Sequence, residues 1–409
     1  MTEKKINILW ISTFPPISKA TAAGTKTFHY YFNFFCKNDG FKTRLLTCAN
    51  KSEQQVIEEE LSDVEHSVVY WSKSNYERAL NFINIESKYN PLNRNACLIS
   101  NTDEKKLLYK LKEWEKMGYN PDVIILEWTN MVVLAPLICR LFHNSKIVAS
   151  EHDVTFIGYK RKAEYFNNGL YGKYWKVKAE HEKSVELKAL SCCDLILPQN
   201  SENISVLKNE GLAEKRIESI VPYYNNMMAM KWEPQTKNVL FFGAMGRPEN
   251  SLSAIWFIKH VMPLLYDTGC KFIVLGSNPS KELLECESES VHITGFVESI
   301  EPYFSHSLCL VAPLVLGAGI KVKVLEGLSA GIPVLTNNVG IEGIPAIENR
   351  DYYHCEKPDE YAQVIRDLLD KSNVTIGINA KKMISEKFSL ENSAINYKDM
   401  IIELVGGVL

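Results

Sequence analysis

The sequence predicts an α/β protein built from two successive domains, each a parallel sheet with helices on both faces. The chain has 409 residues, which is about two to three times the length of an average domain. Short apolar segments alternate with amphipathic ones, as in a doubly wound parallel sheet. The alternation stops over residues 221–237, where turn-forming residues are frequent, and then begins again.

The first half opens with a strand over residues 6–12, INILWIS, which is apolar on both faces as a buried parallel strand requires. A loop that contains Gly24 and a helical segment follow it. Further strands are predicted over 42–47, 66–71, 121–128, 145–153 and 193–199, and helices over 26–37, 56–65, 75–89, 105–117, 131–142 and about 160–190.

The second half repeats this pattern. Strands leading into loops are predicted over 238–245, 270–278, 291–297, 308–314 and 333–338, and helices over 251–265, 321–331 and 382–405. We therefore expect a first domain over 1–222, a linker over 223–237, a second domain over 238–385 and closing helices over 386–409.

Composition excludes several classes of protein. Lys+Arg 46 against Asp+Glu 49 gives a net charge of -3, which does not favour a nucleic-acid binder. The ten cysteines are scattered without a C-x-x-C pair, so neither a disulfide framework nor a metal site is indicated. The longest apolar run, 131–142, contains Arg140 and is too short to span a membrane. We expect a cytoplasmic protein with no metal or cofactor, at most in peripheral contact with a membrane.

Glycines follow several predicted strands of the second half. Gly243, Gly276, Gly295 and the Gly317–Gly319 loop all lie where ligands bind in open parallel sheets. One such glycine is as readily explained by an ordinary turn. Because glycine lets the backbone approach a ligand closely, the set together favours a phosphate-bearing or nucleotide ligand.

A helix begins directly after the Gly317–Gly319 loop and brings charged residues with it. Lys321 and Lys323 lie in its first turn, where cations oppose the helix dipole unless an anion is bound there. Glu326 lies one turn further on among apolar neighbours, suited to hold sugar hydroxyls. The alternatives are lysines that point to solvent and a surface carboxylate.

The stretch GAGIKVKVLEGLSAGIPVL (317–335) resembles the donor-site signature of glycosyltransferase family 4, whose members are retaining nucleotide-sugar transferases of GT-B fold. FFGAMGRPEN (241–250), VHITGFV (291–297) and EHD (151–153) are similar to other segments of that family. The resemblance implies two Rossmann-like domains that face each other across a cleft, with a C-terminal helix that crosses back to the first domain.

The resemblance also implies roles for individual residues. Glu326 holds the ribose, Lys321 or Lys323 neutralises the leaving diphosphate, and His152 contacts the donor sugar from the first domain. The remaining donor-binding residues are Gly24, Gly243, Arg247, Gly276, Gly295, Phe296, Val297, Gly317, Ala318, Gly319 and Ile320. Two departures stand out: Ala318 replaces a glutamate that many members carry, and Ala244 replaces an arginine, for which Arg247 is the nearest substitute.

The sequence therefore predicts a retaining, metal-independent hexosyltransferase that moves a sugar from a nucleoside-diphosphate sugar to a glycan or lipid-linked acceptor in bacterial surface polysaccharide or glycoconjugate synthesis. The alternatives are a nucleotide-sugar 2-epimerase and a non-catalytic partner that binds nucleotide or glycan. Residues 159–183 interleave lysines and arginines with six aromatic residues. That pattern suits an anionic membrane surface, or equally a solvated helix with one buried aromatic face.

Overall fold

The computed structural model describes residues 5–19, 22–71, 95–96, 98–371 and 374–406. The chain forms two compact units. The first comprises Met1–Tyr223 together with Leu390–Leu409, and the second comprises Tyr224–Ser389. The helix that we predict over 75–89 lies outside the described residues.

The first unit contains a seven-stranded sheet. Its strands are β1 (Ile6–Ser12), β2 (Phe41–Ala49), β3 (Glu65–Tyr70), β4 (Val123–Glu127), β5 (Lys146–Glu151), β6 (Leu195–Pro198) and β7 (Arg216–Ile217), in the order β3-β2-β1-β4-β5-β6-β7. The α-helices are Ala23–Cys36, Gln54–Glu60, Asn101–Lys116, Thr129–Val132, Ala135–Leu141, Thr155–Tyr165, Gly169–Leu190, Glu202–Leu207 and the C-terminal Leu390–Leu404.

The second unit contains a six-stranded sheet. Its strands are β8 (Asn238–Phe242), β9 (Lys271–Leu275), β10 (Val291–Gly295), β11 (Cys309–Ala312), β12 (Val334–Thr336) and β13 (Tyr353–His354), in the order β10-β9-β8-β11-β12-β13. The α-helices are Pro248–His260, Lys281–Leu284, Glu301–His306, Val322–Ala330, Asn338–Ile341, Pro358–Asp370 and Val374–Lys387.

The period-two pattern of β1 explains how the first sheet is covered on both faces. Ile8 and Trp10 pack into one core, and Leu9 and Ile11 pack into the other, because successive side chains of a strand point to opposite faces. In the part of the chain that the structure describes, neighbouring strands of both sheets pair in parallel. The predicted α/β class with two wound parallel sheets is confirmed.

The C-terminal helix completes the core of the first unit. The ring of Tyr397 lies 5.1 Å from that of Phe35, and the Tyr31 hydroxyl lies 2.6 Å from Ser393 Oγ. The prediction that the C-terminal helix returns to the first domain is therefore confirmed.

The predicted helix over 160–190 is wrong as a single element. Two helices, Thr155–Tyr165 and Gly169–Leu190, are separated by a turn. Gly169 has a φ of +66°, a left-handed conformation that an α-helix cannot contain and that glycine adopts at little cost. Among the described residues, no helix is both long and apolar enough to span a membrane.

Candidate active site

Both sheets reverse their strand order between the first strand of the unit and its fourth. In the second unit this switch point lies between β8 and β11, and ligands of open parallel sheets bind beyond the carboxyl ends of such strands. Gly243 follows β8 directly and Gly276 follows β9. A Cβ atom on Gly276 would lie 1.7 Å from the carbonyl oxygen of Gly243, so only glycine lets these two strand ends approach each other.

Lys323 extends over this edge from the first turn of Val322–Ala330. Its Nζ donates to Asn250 Oδ1 at 2.6 Å and lies 4.5 Å from the centre of the Phe241 ring. Burial lowers the pKa of Lys323 to about 7, and the positive charges of Arg247 and Lys321 lower it further in the same direction. The site thus holds a lysine that is poorly solvated and surrounded by other cations.

Lys321 has a different environment, although it is only two residues away. Its Nζ lies 3.3 Å from Glu342 Oε2 and also donates to the carbonyl oxygen of Gly319. The side chains of Lys321 and Glu342 are 9% and 12% exposed. Lys321 therefore forms an ion pair within the loop that its own helix follows.

Arg247 and Glu326 lie on the two helices that begin at this edge. The Arg247 side chain is exposed, 3.8 Å from Glu249 Oε2, directly before helix Pro248–His260. Glu326 is only 6% exposed, so the alternative of a surface carboxylate is wrong. Its Oε1 accepts the backbone N–H of Asn225 at 3.1 Å.

The other predicted donor-binding residues of the second unit lie in two loops. Phe296, 75% exposed, and half-buried Val297 follow Gly295 at the end of β10. The loop between β11 and the lysines contains Gly317 (φ +142°), Ala318, Gly319 (φ +70°) and Ile320. A Cβ atom on Gly317 would lie 2.9 Å from Lys321 Cε, so this loop lies tightly against the lysine.

In the first unit the structure brings together His152 and Gly24, which are far apart in sequence. A Cβ atom on Gly24 would lie 3.1 Å from His152 Nδ1 and 3.0 Å from Trp128 Nε1. His152 follows β5 and is 8% exposed. Its Nε2 lies 2.6 Å from Glu127 Oε1, and its Nδ1 lies 2.7 Å from Gln199 Nε2.

Sequence analysis did not single out several residues that hold these groups in place: Asn250, Glu342, Glu127, Trp128 and Gln199. Glu127, Trp128 and Gln199 lie at or just after the ends of β4 and β6, the strands on either side of β5, from which His152 follows. That position at the carboxyl edge was the available signal. Asn250 and Glu342 gave no comparable signal, because their partners are fixed only by folding.

A family model described as "Glycosyl transferases group 1" matches residues 236–371, which lie in the second unit and include its six strands and both lysines. Among curated proteins, no significant relative was found. The predicted resemblance to the group 1 glycosyltransferases is confirmed, whereas membership of family 4 remains a prediction.

Several known structures share the fold over nearly the whole chain. Sucrose-phosphate synthase from Thermosynechococcus elongatus has a TM-score of 0.71 at 14% identity, over 98% of this chain and 100% of its own. Anabaena HepE in complex with UDP-glucose has a TM-score of 0.66 at 12% identity, over 97% and 100%. S. aureus TarM in complex with UDP has a TM-score of 0.65 at 12% identity, over 96% and 99%. The predicted GT-B type of fold is confirmed.

Proposed function

We propose that this chain is a retaining glycosyltransferase that binds a nucleoside-diphosphate sugar at the switch point of its second unit. The observation that supports this most strongly is Lys323, a lysine of lowered pKa that is held by an uncharged amide beside Lys321 and Arg247. Such an arrangement favours an anion, because a bound diphosphate supplies the charge that burial has removed from the lysine's surroundings.

The chemistry follows from where charge develops. Transfer of a glycosyl group breaks the bond between the anomeric carbon and the diphosphate oxygen, and negative charge accumulates on that oxygen. Lys323 and the N-terminal N–H groups of helix Val322–Ala330 stabilise this charge. Glu326 holds the ribose, Phe296 and Val297 frame the base, and His152 contacts the sugar. The departing diphosphate oxygen accepts the proton of the acceptor hydroxyl, so no metal and no separate base are required.

Two alternatives keep the same binding site. A nucleotide-sugar 2-epimerase consumes the donor without any acceptor, and it needs titratable groups that exchange protons with the sugar. A non-catalytic partner binds nucleotide without turnover. Anabaena HepE and S. aureus TarM were crystallised with UDP. This agrees with a nucleotide ligand here, and we propose surface polysaccharide or glycoconjugate synthesis as the setting.

The first experiment is a thermal-shift panel of the full chain with UDP, GDP, ADP, CMP and dTDP, with EDTA present. One nucleoside diphosphate at 100 times its dissociation constant stabilises the protein by about 2.7 kcal/mol. Glu326→Ala abolishes that shift, whereas the matched change Glu289→Ala, at an exposed glutamate of the same unit, preserves it. The absence of a shift with every nucleotide would contradict the proposal.

We further propose that the turn between helices Thr155–Tyr165 and Gly169–Leu190 contacts an anionic membrane. Tyr165, Leu170, Tyr171 and Val177 are 48%, 85%, 55% and 44% exposed, although all are large apolar residues. Residues 159–177 contain five lysines and arginines against one glutamate. Exposed apolar and aromatic groups within a basic segment are typical of an interfacial anchor.

Flotation with vesicles of phosphatidylglycerol and phosphatidylcholine tests this surface. The wild-type chain floats with these vesicles and not with pure phosphatidylcholine, and Leu170→Asp abolishes flotation. The matched control is Leu284→Asp, at an exposed leucine of the second unit, which floats like the wild type. A wild-type chain that stays at the bottom of the gradient would exclude the membrane contact.

A further inference from the structure

Both ring nitrogens of His152 are already engaged within the first unit. Nε2 lies 2.6 Å from Glu127 Oε1, and the side-chain amide nitrogen of Gln199 lies 2.7 Å from Nδ1. The side chains of His152 and Glu127 are 7% and 3% exposed. Neither partner is a loosely held surface group.

The chemistry of these partners fixes where the ring proton is. A carboxylate only accepts hydrogen bonds, so the proton between Glu127 and His152 belongs to Nε2. An amide nitrogen only donates, so Nδ1 accepts from Gln199 through its lone pair. The ring is therefore a neutral imidazole with its proton on Nε2. Glu127 Oε1 also accepts the Ser150 hydroxyl at 2.9 Å, which orients the carboxylate.

Trp128 fixes the plane of the same ring. Its indole stacks on the imidazole, with ring centres 4.6 Å apart and planes 14° apart. Trp128 adopts a φ of +68°, a left-handed conformation that is strained for a bulky residue and that recurs at functional sites. The close approach of Gly24 leaves the ring little room on that side.

We infer that Glu127 is a positioning residue, which together with Gln199 and Trp128 holds His152 as a fixed neutral imidazole that exchanges no proton with the substrate. His152 then meets the sugar as an oriented ring edge, not as an acid or a base. This rests on the proposed transfer reaction, and it disfavours the epimerase alternative, because the histidine available for proton exchange is already saturated.

The test combines ring-nitrogen NMR of histidine-labelled full chain with kinetics. Wild-type His152 shows one protonated and one lone-pair nitrogen at pH 8. Glu127→Leu, which has no acceptor, mixes the tautomers and lowers kcat for transfer about 10- to 100-fold, the usual cost of losing an orienting partner. Glu127→Gln, whose amide oxygen still accepts from Nε2–H, keeps the tautomer and most of kcat.

Two controls separate the possible failures. Glu182→Leu removes another buried carboxyl of the same unit that does not contact His152, and it leaves the His152 signals unchanged. The nucleotide dissociation constant, which reports on the second unit, stays the same in all variants. A charged imidazole or an even tautomer mixture in the wild type overturns the inference, as does a folded Glu127→Leu variant with wild-type kcat. Failure of the proposed function itself is distinct: the wild type then shows neither transfer nor nucleotide binding, and NMR still decides the tautomer.

Discussion

The two units bury ionisable groups of opposite kind. The first unit buries Glu151, Glu182 and Glu186 together behind the end of β5, and desolvation raises the pKa of each. The second unit half-buries Lys323 at the end of β8, and desolvation lowers its pKa to about 7. In both units burial favours the neutral form of the group.

The partners of these groups show why the consequences differ. Glu186 accepts two backbone N–H groups, from Thr155 and Phe156, and Glu151 accepts the Thr129 hydroxyl. The acids are therefore satisfied from within and belong to the scaffold. Lys323 donates to Asn250 while two nearby cations repel its charge. Its arrangement makes sense once an anion binds, so we expect function to depend on the buried base and stability on the buried acids.

The largest expected effect is the loss of transfer in Lys323→Met. This change keeps the length and apolar stem of the side chain and removes the charge that stabilises the departing diphosphate. We expect kcat to fall about 100- to 1,000-fold, as for removal of one oxyanion donor. Steady-state kinetics measure this, and Lys271→Met, at an exposed lysine of β9, is the matched control. Equal activity of the two variants would remove Lys323 from the mechanism.

The next effect is a pH dependence of nucleotide binding. Because the pKa of Lys323 is about 7 in the empty site, the lysine must take up a proton to pair with a diphosphate above that pH. We expect affinity to weaken by up to about tenfold per pH unit above pH 7, since one proton is linked to binding. Calorimetry between pH 6.5 and 9 measures the slope, which should be absent in Lys323→Met. A flat profile in the wild type would show that the lysine is already charged.

A smaller effect concerns stability and the buried acids. Burial and the nearby charge of Glu186 raise the pKa of Glu182 to about 11, and burial raises that of Glu186 to about 7. The folded state therefore keeps protons that the unfolded state releases above about pH 4.5. This contribution to stability is fully present below pH 4.5 and is lost as pH rises towards the folded-state values.

Glu182→Gln tests this directly, because the amide is neutral at every pH. The variant should be more stable than the wild type at pH 8 and should lose stability less steeply between pH 5 and 8. The difference in slope should approach about 1.4 kcal/mol per pH unit for one group. Urea unfolding at several pH values gives the measurement, and parallel curves for the two proteins would show that Glu182 ionises freely in the fold.

The smallest expected effect is that of Thr129→Val. The change removes the hydroxyl that donates to Glu151 Oε2 at 2.5 Å and retains the side-chain shape. We expect a loss of about 1 kcal/mol in the free energy of unfolding, typical of one hydrogen bond. Nucleotide affinity should not change, since this residue belongs to the scaffold of the first unit. A variant that loses nucleotide binding while remaining folded would break the division between the two units.

Much of the architecture was predictable because its signals are local. β1 is apolar on both faces over residues 6–12, and Gly331 ends helix Val322–Ala330 with a φ of +74°, as a glycine at a helix C-terminus does. The single predicted helix over 160–190 failed because Gly169 breaks it. In a one-letter sequence a glycine that breaks a helix looks like one that the helix tolerates.

The candidate site was predictable only in part. The sequence placed Lys321 and Lys323 together in the first turn of a helix, but it did not distinguish them. Folding pairs the first with Glu342 and leaves the second to Asn250, a neutral amide 73 residues away. The difference lies in which partner each side chain meets.

The sequence by itself determined the two wound parallel sheets, the glycine loops at the strand ends and the lysines beside them, because hydrophobic period and turn chemistry act over a few neighbouring residues. Only the tertiary structure decided that His152 is enclosed by Glu127, Gln199 and Trp128. It alone decided which carboxyls stay protonated and which lysine loses its proton. Ionisation and tautomer depend on the solvent and partners that remain around a group after folding, and residues distant in sequence supply them.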